Sequence, residues 1–84
     1  MLYNCQISET CEKRMVALNF YDIKSLLEGI DFITNFPQSG RLLQPRSDFR
    51  IHRIKKFRIY YYIDKNFIKI ISFSKNRDYS ELLP

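Results

Sequence analysis

The amino-acid sequence predicts a single α+β domain in which a helical hairpin packs on a mainly antiparallel sheet. Apolar side chains follow a helical period before position 37 and a period of two after position 48, which supports this class. The chain has 84 residues, of which 45% are hydrophobic. That length and composition suit one hydrophobic core and favour a folded domain over a disordered segment. We therefore expect residues 1–84 to form one domain with the order β-α-α-β-β-β.

The first eighteen residues predict a strand followed by a helix. Apolar and polar side chains alternate over residues 2–7, as is typical of a strand with one buried face. Ser8 is suited to cap a helix, and acidic residues follow it where the helix dipole is positive. We expect this helix to run to about Leu18 and to bury Met15 and Leu18.

The second helix is marked by an apolar stripe at helical spacing. Asn19 or Asp22 can start it, and Pro37 ends it. The residues that we expect on the stripe are Leu26, Leu27, Ile30, Ile33 and Phe36. Such a stripe predicts a face buried against the sheet.

The second half of the chain predicts three strands. Residues 38–48 are polar and contain Gly40 and Pro45, so we interpret them as a loop. The predicted strands are 49–54, 57–64 and 67–74. Lys55 and Lys56 form the first turn between them. Asp64, Lys65 and Asn66 form the second, in which Asn66 is able to take a left-handed conformation.

Positive charge is concentrated in the same half. The formal net charge is +5; residues 1–40 carry 3 Lys/Arg and 5 acidic residues (−2), and residues 41–84 carry 11 and 4 (+7). This imbalance predicts a surface for nucleic acid or for an acidic protein. The alternative is an ordinary solvated face.

Other classes of function have little support in the sequence. Cys5 and Cys11 form no CxxC motif and the lone His52 is distant, so we expect no metal site and no cofactor. We expect both cysteines to be free thiols in a reducing compartment. No apolar run approaches the length of a membrane span, and we expect a cytoplasmic protein without a membrane partner.

Strand alternation suggests a functional face. We expect Arg50, His52 and Arg58 to share a face of the sheet with Tyr60 and Tyr62. The residues expected on the opposite, helix-covered face are Ile51, Ile59, Tyr61 and Ile63. Arginines bind phosphates in forked geometry and aromatic rings stack on bases, so this pattern favours RNA.

The chemistry of this face stays open on these grounds. His52 has the acid–base range that phosphodiester cleavage needs. The alternatives are a structural histidine and tyrosines that simply pack as good strand formers. Taken alone, the residues indicate a basic module that binds nucleic acid or protein.

Three runs resemble a known family. Residues 35–41 (NFPQSGR) resemble the FP-x-x-GR turn of the RelE/ParE toxin superfamily. Residues 49–64 (FRIHRIKKFRIYYYID) resemble its central hairpin. Residues 68–73 (IKIISF), followed by Arg77 and Asp78, resemble its last strand and RD ending. The likeness covers roughly residues 26–79 and agrees in element order along the whole chain.

The resemblance implies a type II toxin that is neutralised by a cognate antitoxin. The turn and the RD ending favour the ParE-like branch, which inhibits DNA gyrase. The alternative is a RelE-like, metal-independent endonuclease that cuts mRNA on the ribosome. Many nuclease members end the last strand with histidine, whereas this chain has Ser74 and Lys75 there. A non-toxic relative that acts as a binding module is the third hypothesis.

The resemblance also implies site residues. On the nuclease hypothesis, the predicted catalytic residues are Arg50, His52, Arg58, Arg77 and Tyr79. The predicted nucleic-acid or partner-binding residues are Arg50, Arg53, Lys55, Lys56, Arg58, Lys75 and Arg77. We expect acidic groups of the antitoxin to meet Arg50, Arg53 or Arg58.

Overall fold

A computed structural model describes residues 3–43 and 48–75. The elements in these residues are β1 (Asn4–Ile7), α1 (Glu9–Val16), α2 (Phe20–Asn35), β2 (Arg41–Leu42), β3 (Phe49–Ile54), β4 (Phe57–Asp64) and β5 (Phe67–Lys75). The strands form one sheet in the order β1-β5-β4-β3-β2, in which only the β1–β5 pair is parallel. Both helices pack on one face of this sheet, which confirms the predicted α+β class.

Side-chain caps set the starts of both helices. The Ser8 hydroxyl accepts a hydrogen bond from the Cys11 amide at 3.1 Å, as expected for an N-cap. The Asn19 side chain accepts one from the Asp22 amide at 2.9 Å, so Asn19 is the cap of α2 and Asp22 lies within its first turn. Helix α1 ends at Val16, two residues before the predicted end, and Leu18 packs on the core from the connection.

The apolar stripe of α2 is narrower than predicted. Leu26, Ile30 and Ile33 are buried, as expected. Leu27 and Phe36 are 51% and 58% exposed, so their assignment to the buried stripe was wrong. A helix that rests on a flat sheet buries positions three and four apart, and Leu27 lies a further 100° or so around the axis.

The predicted loop after α2 contains a short strand. Residues Arg41–Leu42 pair antiparallel with β3, and the Leu43 amide donates to the Phe49 carbonyl at 3.0 Å. Two residues are too few to show a period, so alternation in the sequence does not reveal this strand. It adds an edge to the sheet beside β3.

Lysines, not asparagine, take the left-handed turn positions. Lys55 has φ 52° and Lys65 has φ 58°. The left-handed conformation that Asn66 could have taken in the second turn is adopted by Lys65 instead. In both turns the first of the two connecting residues is left-handed, which joins neighbouring strands with the twist that a sheet requires.

The core lies between the helices and the sheet. Its largest fully buried side chains include Phe57, Ile59 and Tyr61 of β4. Gly29 marks the close approach of α2, because a Cβ there would lie 2.7 Å from Ile59 Cδ1 and 2.8 Å from Ile54 Cγ2. The absence of a side chain at Gly29 therefore lets the helix approach the strands.

Strand β5 contains one extra residue. Its register with β4 shifts after Tyr60, and Ile71 is the residue without a partner. Before the bulge Ile68 and Ile70 face the core, and after it Phe73 does. The bulge thus changes the positions that point inward while the inner face stays apolar.

Within the described ranges, neither helix is long and apolar enough to cross a membrane.

Candidate nucleic-acid interface

The face of the sheet opposite the helices is a row of cationic and aromatic side chains. We call this the open face. Strand register places on it Arg41, Phe49, Ile51, Arg53, Arg58, Tyr60 and Tyr62, with Ser72 and Ser74 of β5. Arg53 lies directly opposite Arg58, so two guanidinium groups start from adjacent positions on neighbouring strands. Neutral strand residues would be the ordinary choice there, because like charges in opposed positions repel.

The tyrosines of the open face are held by neighbouring side chains. The Tyr60 hydroxyl lies 3.1 Å from the Ser74 hydroxyl, and either can donate. The Tyr62 ring meets the Phe49 ring edge to face, with centroids 5.6 Å apart. Both tyrosines are partly exposed, so their rings present surface on which bases can stack.

Arg50 and His52 do not lie on this face. Arg50 is opposite Tyr61 and His52 is opposite Ile59, which places both on the helix-covered side. The predicted grouping of Arg50 and His52 with Arg58 was therefore wrong, as was the placement of Ile51 on the buried face. The cause is the length of the turn: a two-residue connection pairs odd positions of β3 with even positions of β4.

The His52 ring has a packing role on the helix side. It stacks on the Phe32 ring of α2, with centroids 5.0 Å apart and planes 15° apart. Burial lowers the pKa of His52 from its ordinary value of 6.5, so the ring is neutral at physiological pH. On this side of the sheet it is not positioned to exchange protons with a ligand at Arg58.

Arg50 and Tyr61 hold the turn that follows α2. Arg50 Nη1 donates to the carbonyls of Gln38 and Gly40 at 3.2 and 2.8 Å. The Tyr61 hydroxyl donates to the Pro37 carbonyl at 2.8 Å and accepts from the Gly40 amide at 3.0 Å. A Cβ on Gly40 would lie 2.3 Å from that hydroxyl, which explains the glycine.

The lysines of the first turn face helix α2. Lys56 Nζ lies 2.8 Å from Asp22 Oδ1, and Lys55 Nζ lies 3.4 Å from Glu28 Oε2. The predicted binding residues Lys55 and Lys56 therefore form ion pairs at the helix side of the molecule. Of the predicted cationic residues, Arg53 and Arg58 are the two that the described structure brings together on the open face.

Comparison with known proteins identifies the fold. No protein-family model and no curated protein sequence matches the chain. Solved structures do match the chain. The RelBE2 toxin–antitoxin complex from Mycobacterium tuberculosis matches with a TM-score of 0.79 and 16% identity, over 89% of this chain and 99% of that one. The RelE–RelB complex from Pyrococcus horikoshii OT3 matches with a TM-score of 0.70 and 20% identity, over 90% and 97%.

The isolated RelE toxin from E. coli is also similar, with a TM-score of 0.72, 20% identity, and 96% and 95% of the two chains covered. This chain has the RelE fold. Each match covers nearly the full length of both chains.

Three predicted site residues remain to be located on the RelE fold. Lys75 is exposed at the end of β5 and lies opposite the buried Phe57, so its register places it on the helix side and not beside Arg58. Arg77 and Tyr79 lie outside the described residues. Sequence reasoning missed Arg41, which sits on the open face opposite Ile51. The sequence offered a clue to it, because Arg41 is the last residue of the NFPQSGR run. Arg50 and Tyr61 make hydrogen bonds to other residues of that run.

No group of three or more histidine, cysteine or acidic side chains within residues 3–43 and 48–75 is placed to hold a metal ion. Cys5 and Cys11 are free thiols, and burial raises the pKa of each. These two cysteines belong to the core and its margin, away from the open face.

Proposed function

We propose that this chain is the toxin of a type II toxin–antitoxin pair and that it acts on mRNA bound to the ribosome. The observation that carries the proposal is the open face of the RelE fold, where Arg53 and Arg58 lie directly opposite each other beside Tyr60 and Tyr62. Guanidinium groups beside exposed rings suit a single-stranded RNA, whose phosphates pair with arginine and whose bases stack.

The same face supports a division of roles. Arg58 lies on β4, the middle strand of the sheet, and is the residue that we assign to the scissile phosphate. Arg53 adds positive charge next to it, which is the role that the sequence prediction gave to Arg50. Cleavage requires the RNA 2′-OH to lose a proton and the leaving oxygen to gain one. With His52 on the helix side, Tyr79 is our candidate for proton transfer, and Arg77 is the candidate for stabilising the developing charge.

The proposed partner is an antitoxin. The structural relatives from M. tuberculosis and P. horikoshii are toxin–antitoxin complexes. In this chain the half beyond residue 40 carries a net charge of +7. An antitoxin segment with acidic groups would therefore associate rapidly, and its association rate would fall with salt.

Induced expression in a bacterial host tests the proposal. We expect growth arrest, relief by co-expression of the small protein encoded beside the toxin gene, and new mRNA ends within translated regions. DNA supercoiling by purified gyrase should be unaffected. Intact messages together with inhibited gyrase would replace this proposal with the ParE-like one. Normal growth, with the protein accumulating in folded form, would favour the non-toxic binding module.

A further inference from the structure

A second feature next to the open face is a pocket at the β2–β3 edge of the sheet. It has a volume of about 410 Å³ and lies where the two-residue strand β2 ends beside β3. Arg41, Arg53, Leu43 and Ile51 line it, together with Ser39 and His52. None of the described residues that line it is acidic.

The two arginines are available to a ligand. Within the described part of the chain, neither the Arg41 nor the Arg53 side chain takes part in an ion pair or a hydrogen bond, and both residues are exposed. Arg50 differs from them, since its guanidinium is committed to the Gln38 and Gly40 carbonyls. Two uncommitted guanidinium groups in one concavity favour an anion, and their planar forks suit a phosphate.

Apolar side chains also line the pocket. Leu43 is 45% exposed and Ile51 is partly exposed. A free inorganic anion would leave this surface unused, whereas a nucleotide would place its ribose or base against it. The volume also lies within the usual range of small-ligand pockets, about 300–1,000 Å³.

The pocket adjoins the proposed mRNA site. Arg53 belongs to both, because it lines the pocket and lies opposite Arg58. Ile51 likewise lines the pocket and lies opposite Tyr60. An RNA strand that crosses β4 at Arg58 and continues toward β2 would therefore enter the pocket with a neighbouring nucleotide.

We infer that this edge pocket, through Arg41 and Arg53, binds the phosphodiester of a nucleotide flanking the one held at Arg58. The inference rests on the proposed function, because it assumes that RNA occupies the open face. It assigns Arg41 a binding role. The hydrogen bonds that Arg50 and Tyr61 make to the preceding turn then also serve to position Arg41. These hydrogen bonds fix Gly40, the residue immediately before Arg41.

The test is RNA binding by the purified chain. A short fluorescein-labelled single-stranded RNA with 2′-O-methyl riboses cannot be cut by 2′-OH attack, so anisotropy reports binding alone. Arg41→Gln should weaken binding about tenfold, as expected for loss of one charged hydrogen-bond pair. It should also lower the slope of log affinity against log salt by about 0.7, the value for one phosphate contact on a single strand. Lys24→Gln removes the same charge from the exposed side of helix α2 and should match the wild type.

A second measurement locates the effect. In NMR titrations with the same RNA, the amides of Leu43 and Ile51 should shift in the wild type and stay unchanged in Arg41→Gln. Circular dichroism should show that Arg41→Gln is folded, because the exposed Arg41 side chain contributes nothing to the core.

The outcomes separate this inference from the proposed function. If Arg58→Gln weakens binding and Arg41→Gln behaves like Lys24→Gln, the edge pocket is overturned and the RNA site at Arg58 stands. If the wild type does not bind the RNA, the inference is overturned, whereas the proposed function is decided separately by the mapping of mRNA ends on ribosomes. If poly-glutamate binding depends on Arg41 and RNA binding does not, the pocket serves an acidic protein segment and the inference is overturned.

Discussion

The two faces of the sheet are built from the same strands and differ in whether their side chains are buried in the core or accessible to a ligand. On the helix side of β4, Phe57, Ile59 and Tyr61 are at most 1% exposed. On the open side, Arg58 and Tyr60 alternate with them and stay partly accessible. One octapeptide strand thus contributes to the core and to the candidate site at once. The comparison teaches that the direction of a side chain, more than its chemical type, decides its role in this fold.

Two arginines of β3 show this division most clearly. Arg50 and Arg53 are three residues apart, so they point to opposite faces. Arg50 donates to two carbonyls of the turn after α2 and is part of the structure. Arg53 lies opposite Arg58 on the open face and lines the edge pocket. A count of basic residues along the strand does not separate these two roles.

The largest expected effect concerns the helix-covered face. Ile30→Ala should lower the free energy of unfolding by about 2–5 kcal/mol, because it leaves a cavity under α2. Leu27→Ala on the same helix is the matched control. Its side chain is 51% exposed, so we expect a change within about 0.5 kcal/mol. Urea denaturation of the two variants measures both values, and equal losses would mean that the helix does not rest on the sheet as described.

On the open face the largest effect should appear in activity. Arg58→Ala should reduce mRNA cleavage about 100–1000-fold, equivalent to roughly 2.7–4 kcal/mol of transition-state stabilisation. Primer extension on ribosome-bound messages measures the cleavage, and thermal melting checks the fold. His52→Ala should keep the cleavage rate, since that ring lies on the helix side against Phe32. Loss of cleavage in a fully folded His52→Ala would contradict this assignment of faces.

A smaller effect is expected for the tyrosine hydroxyls of the two faces. Tyr61→Phe leaves the Gly40 amide and the Pro37 carbonyl without their buried partner, and should cost about 1–3 kcal/mol. Tyr60→Phe removes a hydroxyl from the partly exposed side and should cost less than about 1 kcal/mol. Chemical denaturation of this matched pair compares them directly. A larger loss for Tyr60→Phe would contradict the assignment of Tyr61 to the buried face and Tyr60 to the open face.

The smallest expected effect is the dependence of stability on pH. Burial lowers the pKa of His52 from 6.5 in the folded chain, so the unfolded chain binds a proton more readily. The contribution of neutral His52 is therefore complete above pH 6.5 and should be lost as the pH falls below it. Denaturation midpoints recorded from pH 7.5 to 5 should decline less in His52→Gln than in the wild type. Parallel declines would show that His52 does not titrate differently on folding.

Several features of the fold follow from local patterns in the sequence. The alternation within β4, the buried positions of Leu26, Ile30 and Ile33, and the cap at Ser8 each depend on neighbours within a turn or a strand. These were predicted correctly. The short strand β2 depends on pairing with β3 and has no period of its own, so it was missed.

The site was harder to predict because it depends on register. The residues that share a face within β3, and those that share a face within β4, were predicted correctly. The wrong face of β3 was then matched with the polar face of β4, which placed Arg50 and His52 beside Arg58. The turn at Lys55 and Lys56 contained the needed information, since its length decides which positions face each other. The partners of Lys56 and Arg50 lie on α2 and on the turn that follows it, and only the tertiary structure identifies them.

The bulge at Ile71 has a consequence for comparing related sequences. A relative that lacked this residue would have an uninterrupted β5 with the same inward side chains, because Ile70 would then be followed by one outward residue before Phe73. An alignment of the two would need a gap of one position at Ile71 for equivalent faces to correspond. Without that gap, a substitution copied from the relative to a position beyond residue 71 would exchange a core side chain for a surface one.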